Sequence, residues 1–498
     1  MTPHPQTAGS AVVRYGTPLG RWVLTATVLG SGIAFLDGAV VTVALRAIGA
    51  DFHTAAAGLQ WTVTAYLVTV TGFLLLGADL GDLFGRRRVF VLGLAGFTVG
   101  SALCAAATNP DFLIAARAAQ GTSAALLVPG GPAIIASVFH PDDRRRAIGT
   151  WAGLTGVATA IAPFLGGWLI DAFSWRLIFV VNAPIAAIAI AIAVRQVPET
   201  TSSAPAPLDV GGALLATAAL AAISLAVISH QAVAGAVSAL AGLGAVLILL
   251  LVERKITHPM LPLGMFRIRQ FTLVNIVTLA VYAGLGGAFF LVTLRLEVSL
   301  HYSALKAGAA LVPFALLMVI LSPPASQFGQ RVGARVPMTV GPLVASAGIV
   351  LLSGVSRGDQ YPATVLPAVV VLGIGGAITV APLTAAVLGA VGDDSAGTAS
   401  EINNAAARLA GLLAVAVLPA LTGISSARSL EAGLDHGYSA ALLVSGGLAA
   451  AGGLVAALTV RATAPVPSLV QPSPFHACQH PAIATRGAVD QTRAFDAS

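Results

Sequence analysis

Charge is what this chain most lacks. Lys and Arg together number 26 and Asp and Glu 20 in 498 residues, or 9%, where a soluble domain carries about 25%. That composition excludes an ordinary water-soluble fold. Cysteine is nearly absent: Cys104 lies in an apolar run and Cys478 in the last polar stretch, so no disulfide framework is expected. Period-two alternation of apolar and polar residues, the mark of half-buried strands, is missing. No G-x-x-x-x-G-K-[ST] occurs, which removes a nucleotide-driven engine. The nine histidines show no metal-ligand spacing. A net charge of +6 invites a nucleic-acid reading, but the arginine runs 86–88 and 144–146 lack aromatic interleaving and a soluble context. Neither a cofactor, a metal, a nucleotide nor a nucleic acid is therefore expected.

What remains is oil. Hydrophobic residues make up 57% of the chain and the mean hydropathy is +0.89. Ala-, Leu- and Gly-rich runs of roughly 20 residues, each long enough to cross a hydrocarbon core about 30 Å thick, recur along almost the whole length. They predict an all-α polytopic membrane protein with 14 spans, at 22–45, 58–80, 88–108, 112–139, 147–170, 176–197, 208–229, 232–252, 271–296, 305–327, 336–355, 363–388, 402–425 and 438–460. An even number puts both termini on one side. Of the 26 basic residues, 19 then fall in segments on the side of the termini and six on the other, with Arg117 inside a span. The excess marks the terminal side as cytoplasmic. The first 20 residues carry no short apolar core with a cleavage site and read as a cytoplasmic tail.

The spans divide as six, two and six. Expected segments are a cytoplasmic tail at 1–21, a six-helix bundle at 22–197, two linker helices with their loops at 198–270, a second six-helix bundle at 271–460, and a disordered cytoplasmic tail at 461–498. The loop GADLGDLFGRRR, 77–88, has a faint echo in SQFGQRVGAR, 326–335, at the same place in the other half. Repeated halves of this kind place a binding site at their interface.

Ionisable residues inside spans are functional candidates, because burying a charge is costly. Asp37, in GIAFLDGAVVTVAL, lies about 15 residues, or roughly 22 Å, from the cytoplasmic end of its span. A carboxylate there can take up and release a proton as access alternates, so Asp37 is the candidate proton-coupling residue. Arg117 can poise it, with Gln120 either poising it or receiving substrate. Asn403 and Asn404 are candidate cavity donors. Glu297, Asp171 and Glu401 lie near span ends and read as solvated, and Arg408 reads as a basic anchor. Pro163, Gly166 and Gly167 crowd one span with residues that permit a bend and close helix approach, as at a hinge or seal. Asp82, Gly85, Arg86 and Arg87 form a candidate gating loop.

At these residues the chain resembles a known family. Asp82, Gly85, Arg86 and Arg87 are similar to the loop signature of the major facilitator superfamily. Arg117, Gln120 and Gly121 resemble the fourth-helix motif of its proton-coupled members, and PFLGG at 163–167 the fifth-helix antiporter motif. FLDGAVVTVAL, SWRLIFVVNAPI at 174–185 and EINNAAARLAGLLAVAVL at 401–418 resemble the 14-helix drug:proton antiporters. The chain departs from these patterns at Ala78, Leu83, Ala162, Thr42 and Arg46. The resemblance implies a major facilitator fold, two six-helix bundles plus two extra transmembrane helices. It also implies export of amphipathic, often cationic, drugs or toxic small molecules in exchange for protons, by a monomer in the plasma membrane. The alternatives are an exporter dedicated to one endogenous natural product and a non-transporting receptor or scaffold. Few acids fall within the spans, which favours neutral or singly charged substrates.

Overall fold

In a computed structural model, residues 13–54, 56–202, 207–229, 232–256, 259–391, 395–425, 427 and 429–460 are described. The first bundle holds α1 (Pro18–Phe52), α2 (Ala56–Phe84), α3 (Arg86–Ala105), α4 (Pro110–Val138), α5 (Pro141–Ala172), and α6 (Leu177–Val180) with α7 (Asn182–Gln196) as one span. Two linker helices follow, α8 (Val210–Ile228) and α9 (Ala232–Glu253). The second bundle holds α10 (Arg269–Leu294), α11 (Ala304–Ala310) continued by α12 (Val312–Val332), α13 (Arg335–Ser353), α14 (Val365–Gly389), α15 (Ala396–Leu421) and α16 (Leu430–Thr459). Among the described residues, 14 helical segments are long and apolar enough to span a membrane. The protein is an all-helical, multi-pass membrane protein.

Several helices outrun the apolar runs that announced them. α1 starts at Pro18, inside the stretch 1–21 expected to be tail, because Thr17 accepts the Gly20 N–H at 3.1 Å and proline fits the first turn. α16 starts at Leu430, where Ser429 caps Ala432 at 3.2 Å. Polar first turns are invisible to a hydropathy window but cost nothing once capped. Residues 1–12 and the expected tail 461–498 lie outside the described residues.

Glycine sets the spacing of the first bundle. A Cβ on Gly77 would lie 2.2 Å from the Ala125 carbonyl, one on Gly121 2.5 Å from the Tyr66 carbonyl, and one on Gly100 2.8 Å from Gln120 Cα. Hence α2 and α3 press backbone to backbone on α4. The two echoing loops share a conformation as well as a sequence: Gly85 (φ 108°) and Gly333 (φ 84°) both adopt the left-handed region just before the next helix.

We call the face holding the start of α1 and the end of α16 proximal, and the opposite face distal. Among the described residues, the hydrogen bonds that join the two bundles lie toward the distal end. Asp171, at the end of α5, accepts the N–H groups of Ala304 and Leu305 at 3.1 and 2.9 Å and so caps α11. Arg46 donates to the Tyr302 carbonyl at 3.3 Å, and Gln60 reaches the Val415 carbonyl (3.3 Å) and Ser425 (3.1 Å). A continuous apolar core runs through this seam from Leu36, Val40 and Leu45 to Leu285, Leu291 and Val415. Pro163, Gly166 and Gly167 sit in it. A Cβ on Gly167 would be 2.4 Å from the Ala304 carbonyl, and one on Gly308 2.2 Å from that of Pro163.

Asp171 keeps the solvent exposure that its position suggested, whereas Glu297 does not. Asp171 is exposed but committed to α11. Glu297 is only 2% exposed, in a π-helical turn, Arg295–Ser299, that continues α10. The turn's extra residue changes which side chains face inward.

Because the seam closes on bare backbone, Gly167→Ala is expected to keep it from closing. In a chain whose native cysteines are replaced, the buried Leu59, changed to Cys, should become reactive to a membrane-impermeant maleimide when Gly167→Ala is added. Unchanged labelling would show the seam tolerates a methyl group.

Candidate functional site

The two intramembrane charges meet. Asp37 lies on α1 about 28 Å from its start, and Arg117 on the second turn of α4. Arg117 Nη1 donates to Asp37 Oδ2 at 2.5 Å, and the side chains are 1% and 0% exposed. Arg117 is not a residue reaching for the interface. Its Nε donates to the Thr62 carbonyl on α2 at 3.2 Å, and its guanidinium lies 4.2 Å from the centre of the Tyr66 ring.

A shell of neutral polar groups closes round the pair. Gln120, one turn along α4 from Arg117, accepts from Arg117 Nη1 (2.7 Å) and donates to Asp37 Oδ1 (2.9 Å) and Ser101 Oγ (2.8 Å). Asn182, opening α7, donates to Asp37 Oδ1 at 3.3 Å and to Ser101 at 3.2 Å. Cys104 donates weakly to Gln120 Oε1 at 3.5 Å. Asp37 thus receives hydrogen bonds from α4 and α7, and each donor is fixed by a second partner. Such a network stabilises a charge that would otherwise be prohibitive in hydrocarbon. Chemically it holds one carboxylate against one guanidinium, each kept in place by neutral donors and acceptors.

The remaining candidates lie elsewhere. Among the candidate cavity donors, Gln120 is buried in the cluster just described, and the other two lie away from it. Asn403 is turned into its own bundle, donating to Asn275 (3.2 Å) and Thr278 (2.7 Å) on α10, while Asn404, the next residue on the helix, is exposed. Arg408 does not anchor a helix end: it lies in the middle of α15, with its guanidinium 5.5 Å from the centre of the Phe35 ring.

The loop 77–88 is built differently from the membrane pair. Asp82 holds Arg86 in its own loop at 2.8 Å. Glu199, following the sixth span, accepts the N–H groups of Arg87 (3.0 Å) and Arg88 (3.2 Å) and so caps α3. A Cβ on Gly85 would come within 2.7 Å of that carboxylate, a second reason for glycine there. Glu401 on α15 stands within electrostatic reach of Asp79, Asp82 and Arg86, across the proximal junction of the bundles.

Ser101, Asn182, Thr62 and Tyr66 were not singled out in the sequence. Asn182 carried a signal, an amide within the apolar stretch LIFVVNAPI. The other three are neutral residues common in packed spans.

Comparison with known proteins gives these residues a setting. The Major Facilitator Superfamily profile matches residues 27–415 and 274–485. The chain is 32% identical to the multidrug resistance protein Stp of Mycobacterium tuberculosis (strain CDC 1551 / Oshkosh), over 83% of this chain and 78% of that one. It is 33% identical to the puromycin resistance protein pur8 of Streptomyces alboniger, over 88% of each. To the cephamycin export protein CmcT of Amycolatopsis lactamdurans it is 35% identical, over 81% of this chain and 86% of that one. Its fold is similar to that of a peptide transporter POT in complex with sulfate, with a TM-score of 0.65 and 17% identity over 89% of this chain and 94% of that one. A D-xylose-proton symporter gives a TM-score of 0.65 at 14% identity, over 89% and 98%.

Removing either charge of the buried pair leaves the other uncompensated. Asp37→Asn and Arg117→Gln are each expected to destabilise the purified protein by about 3–5 kcal/mol. The double variant should lose clearly less than the sum, as read from unfolding in detergent. Additive losses would mean the pair does not act as a unit.

Proposed function

This chain belongs to the Major Facilitator Superfamily, and from that membership we propose that it is a proton-coupled antiporter. It exports amphipathic drugs or toxic small molecules across the plasma membrane by alternating access, as a monomer with both termini in the cytoplasm. On this reading the proximal face is cytoplasmic and the distal seam is the outer gate. The reading is supported by drug-resistance and export relatives that match over four-fifths of the chain or more. The observation that carries proton coupling is the Asp37–Arg117 pair, buried within the first bundle and hydrogen-bonded by Thr62, Gln120 and Asn182.

The chain's own residues supply a route from proton to gate. With Asp37 ionised, α1 and α4 are held together by an ion pair. A proton arriving from outside on Asp37 cancels the attraction but leaves Arg117 its bonds to Gln120 and the Thr62 carbonyl. The change falls on α1. One turn along α1 is Val40, against which Gly166 of α5 is packed without room for a Cβ. A shift of α1 at Asp37 therefore bears on the helix that forms the outer seal. The coupling claim is physical contiguity between two packed elements. At the proximal face, Asp82, Gly85, Arg86 and Arg87 form a latch that holds α2 and α3 in register while the bundles rock, and Glu401 of the other bundle faces it.

Relatives named for single compounds, puromycin and cephamycin, favour a narrower second reading: export of one endogenous natural product.

Inverted vesicles with an imposed pH gradient test the proposal. Wild type is expected to accumulate drug or dye in a gradient-dependent way and Asp37→Asn to lose that dependence. Asp82→Asn should insert normally and transport more slowly. Gradient-independent transport, or an Asp37→Asn protein with an unchanged pH profile, would remove the coupling assignment. A broad compound panel separates the multidrug reading from the narrow one, and no transport of any compound would leave a scaffold.

A further inference from the structure

Where α15 meets α1, three polar side chains, Arg408, Trp151 and Ser31, have no hydrogen-bond partner among the described residues. Arg408 lies about 18 Å into α15. Ala405, one turn before it, packs on the core of the first bundle. The Arg408 guanidinium lies over the Phe35 ring of α1. Among the described residues it has neither a hydrogen bond nor a salt bridge, and the ionisable group within its electrostatic reach is Tyr66. Phe35 meets Trp151 of α5 edge-on, with ring centroids 6.4 Å apart. The Trp151 Nε1 is buried without an acceptor, and so is the Ser31 hydroxyl, one turn before Phe35. Both atoms crowd the same point on α4: a Cβ on Gly131 would lie 2.4 Å from Ser31 Oγ and 3.0 Å from Trp151 Nε1.

A cation held in a membrane interior needs an anion, and an aromatic face compensates only part of the cost. Asp37 cannot supply it here. Phe35 and Asp37 are two apart on α1 and so point to different faces, and Asp37 already accepts from Arg117, Gln120 and Asn182. Among the described residues no other carboxylate reaches Arg408.

We propose that the missing anion comes with the substrate: the seam between α1, α5 and α15 binds amphipathic organic anions, molecules with an acidic group beside an aromatic or apolar body. Arg408 takes the acid, Trp151 Nε1 adds a second donor, and Phe35 packs the body. This sharpens the proposed export by naming the substrate class and runs against a preference for cations. It rests on the export reading for its direction of transport, but not for binding.

Binding is therefore the test. The full chain, purified into lipid nanodiscs, is titrated with carboxyfluorescein as the anionic probe and ethidium as the cationic one, read by fluorescence polarisation. Wild type is expected to prefer the anion. Arg408→Gln should weaken carboxyfluorescein binding about tenfold or more and leave ethidium no weaker. Arg408→Lys should recover part of the loss, and Trp151→Phe should show a smaller anion-selective loss. Four results would each overturn the proposal: preference of wild type for ethidium, undiminished anion binding in Arg408→Gln, equal loss of both probes in that variant, or no recovery in Arg408→Lys. Selective anion binding by a protein that transports nothing in vesicles would sink the antiport reading and leave this inference standing.

Discussion

A carboxylate and a guanidinium can sit together inside a membrane protein only where neighbouring polar groups are brought in to bind them. The first bundle is organised around that demand. Asp37 and Arg117 come from helices distant in sequence, and their partners Thr62, Ser101, Gln120 and Asn182 come from α2, α3, α4 and α7. For those side chains to reach one point, the helices must approach more closely than ordinary side chains allow. Gly100 and Gly121 meet that requirement directly, each placing its helix against the backbone of a neighbour at the level of the pair. Small residues and buried charge are two aspects of one constraint.

Much of this was legible because hydrocarbon is an unforgiving solvent. Apolar length fixes span count, and a charge in mid-span draws notice wherever it falls, so Asp37 and Arg117 were readable without any structure. Their neutral partners were not. A serine or threonine within a span satisfies itself on its own helix as easily as it joins a network, and nothing local separates the two. Asn403 shows the same limit from the other side: its partners, Asn275 and Thr278, are more than 120 residues away. Glu297 was misread for a different reason, since a single extra residue in the π turn rotates a helix end inward and leaves no mark in the hydropathy profile. Arg408 was read as a basic anchor because polar residues before it, Glu401 to Asn404, disguise the first turns of α15.

The loops at Gly85 and Gly333 show how far the two bundles share a design. Both need a left-handed residue, both stand between the second and third helices of their bundle, and both precede an arginine that opens a helix. Among the described residues only the first is clamped, by Glu199 across the N-terminus of α3. The halves therefore share a backbone plan while their side chains have diverged. The first bundle buries its ion pair in mid-span, whereas in the second Arg295 pairs with Asp435 near the distal end and the amides and hydroxyls of Asn275, Thr278 and Asn403 join in mid-bundle.

The linker helices give the structure a contact with its surroundings that neither bundle has. α8 packs on α2 of one bundle and α15 of the other, and Gly72 brings it so close that a Cβ would lie 2.1 Å from the Thr217 hydroxyl. α9 packs on α8 and leaves most of its apolar surface outside the protein interior, where acyl chains would cover it. Any rocking of the bundles must slide one of them along α8 while α9 is dragged through acyl chains. Bilayer thickness and lateral pressure thus enter the working cycle as mechanical loads, applied through a hairpin that spans the junction.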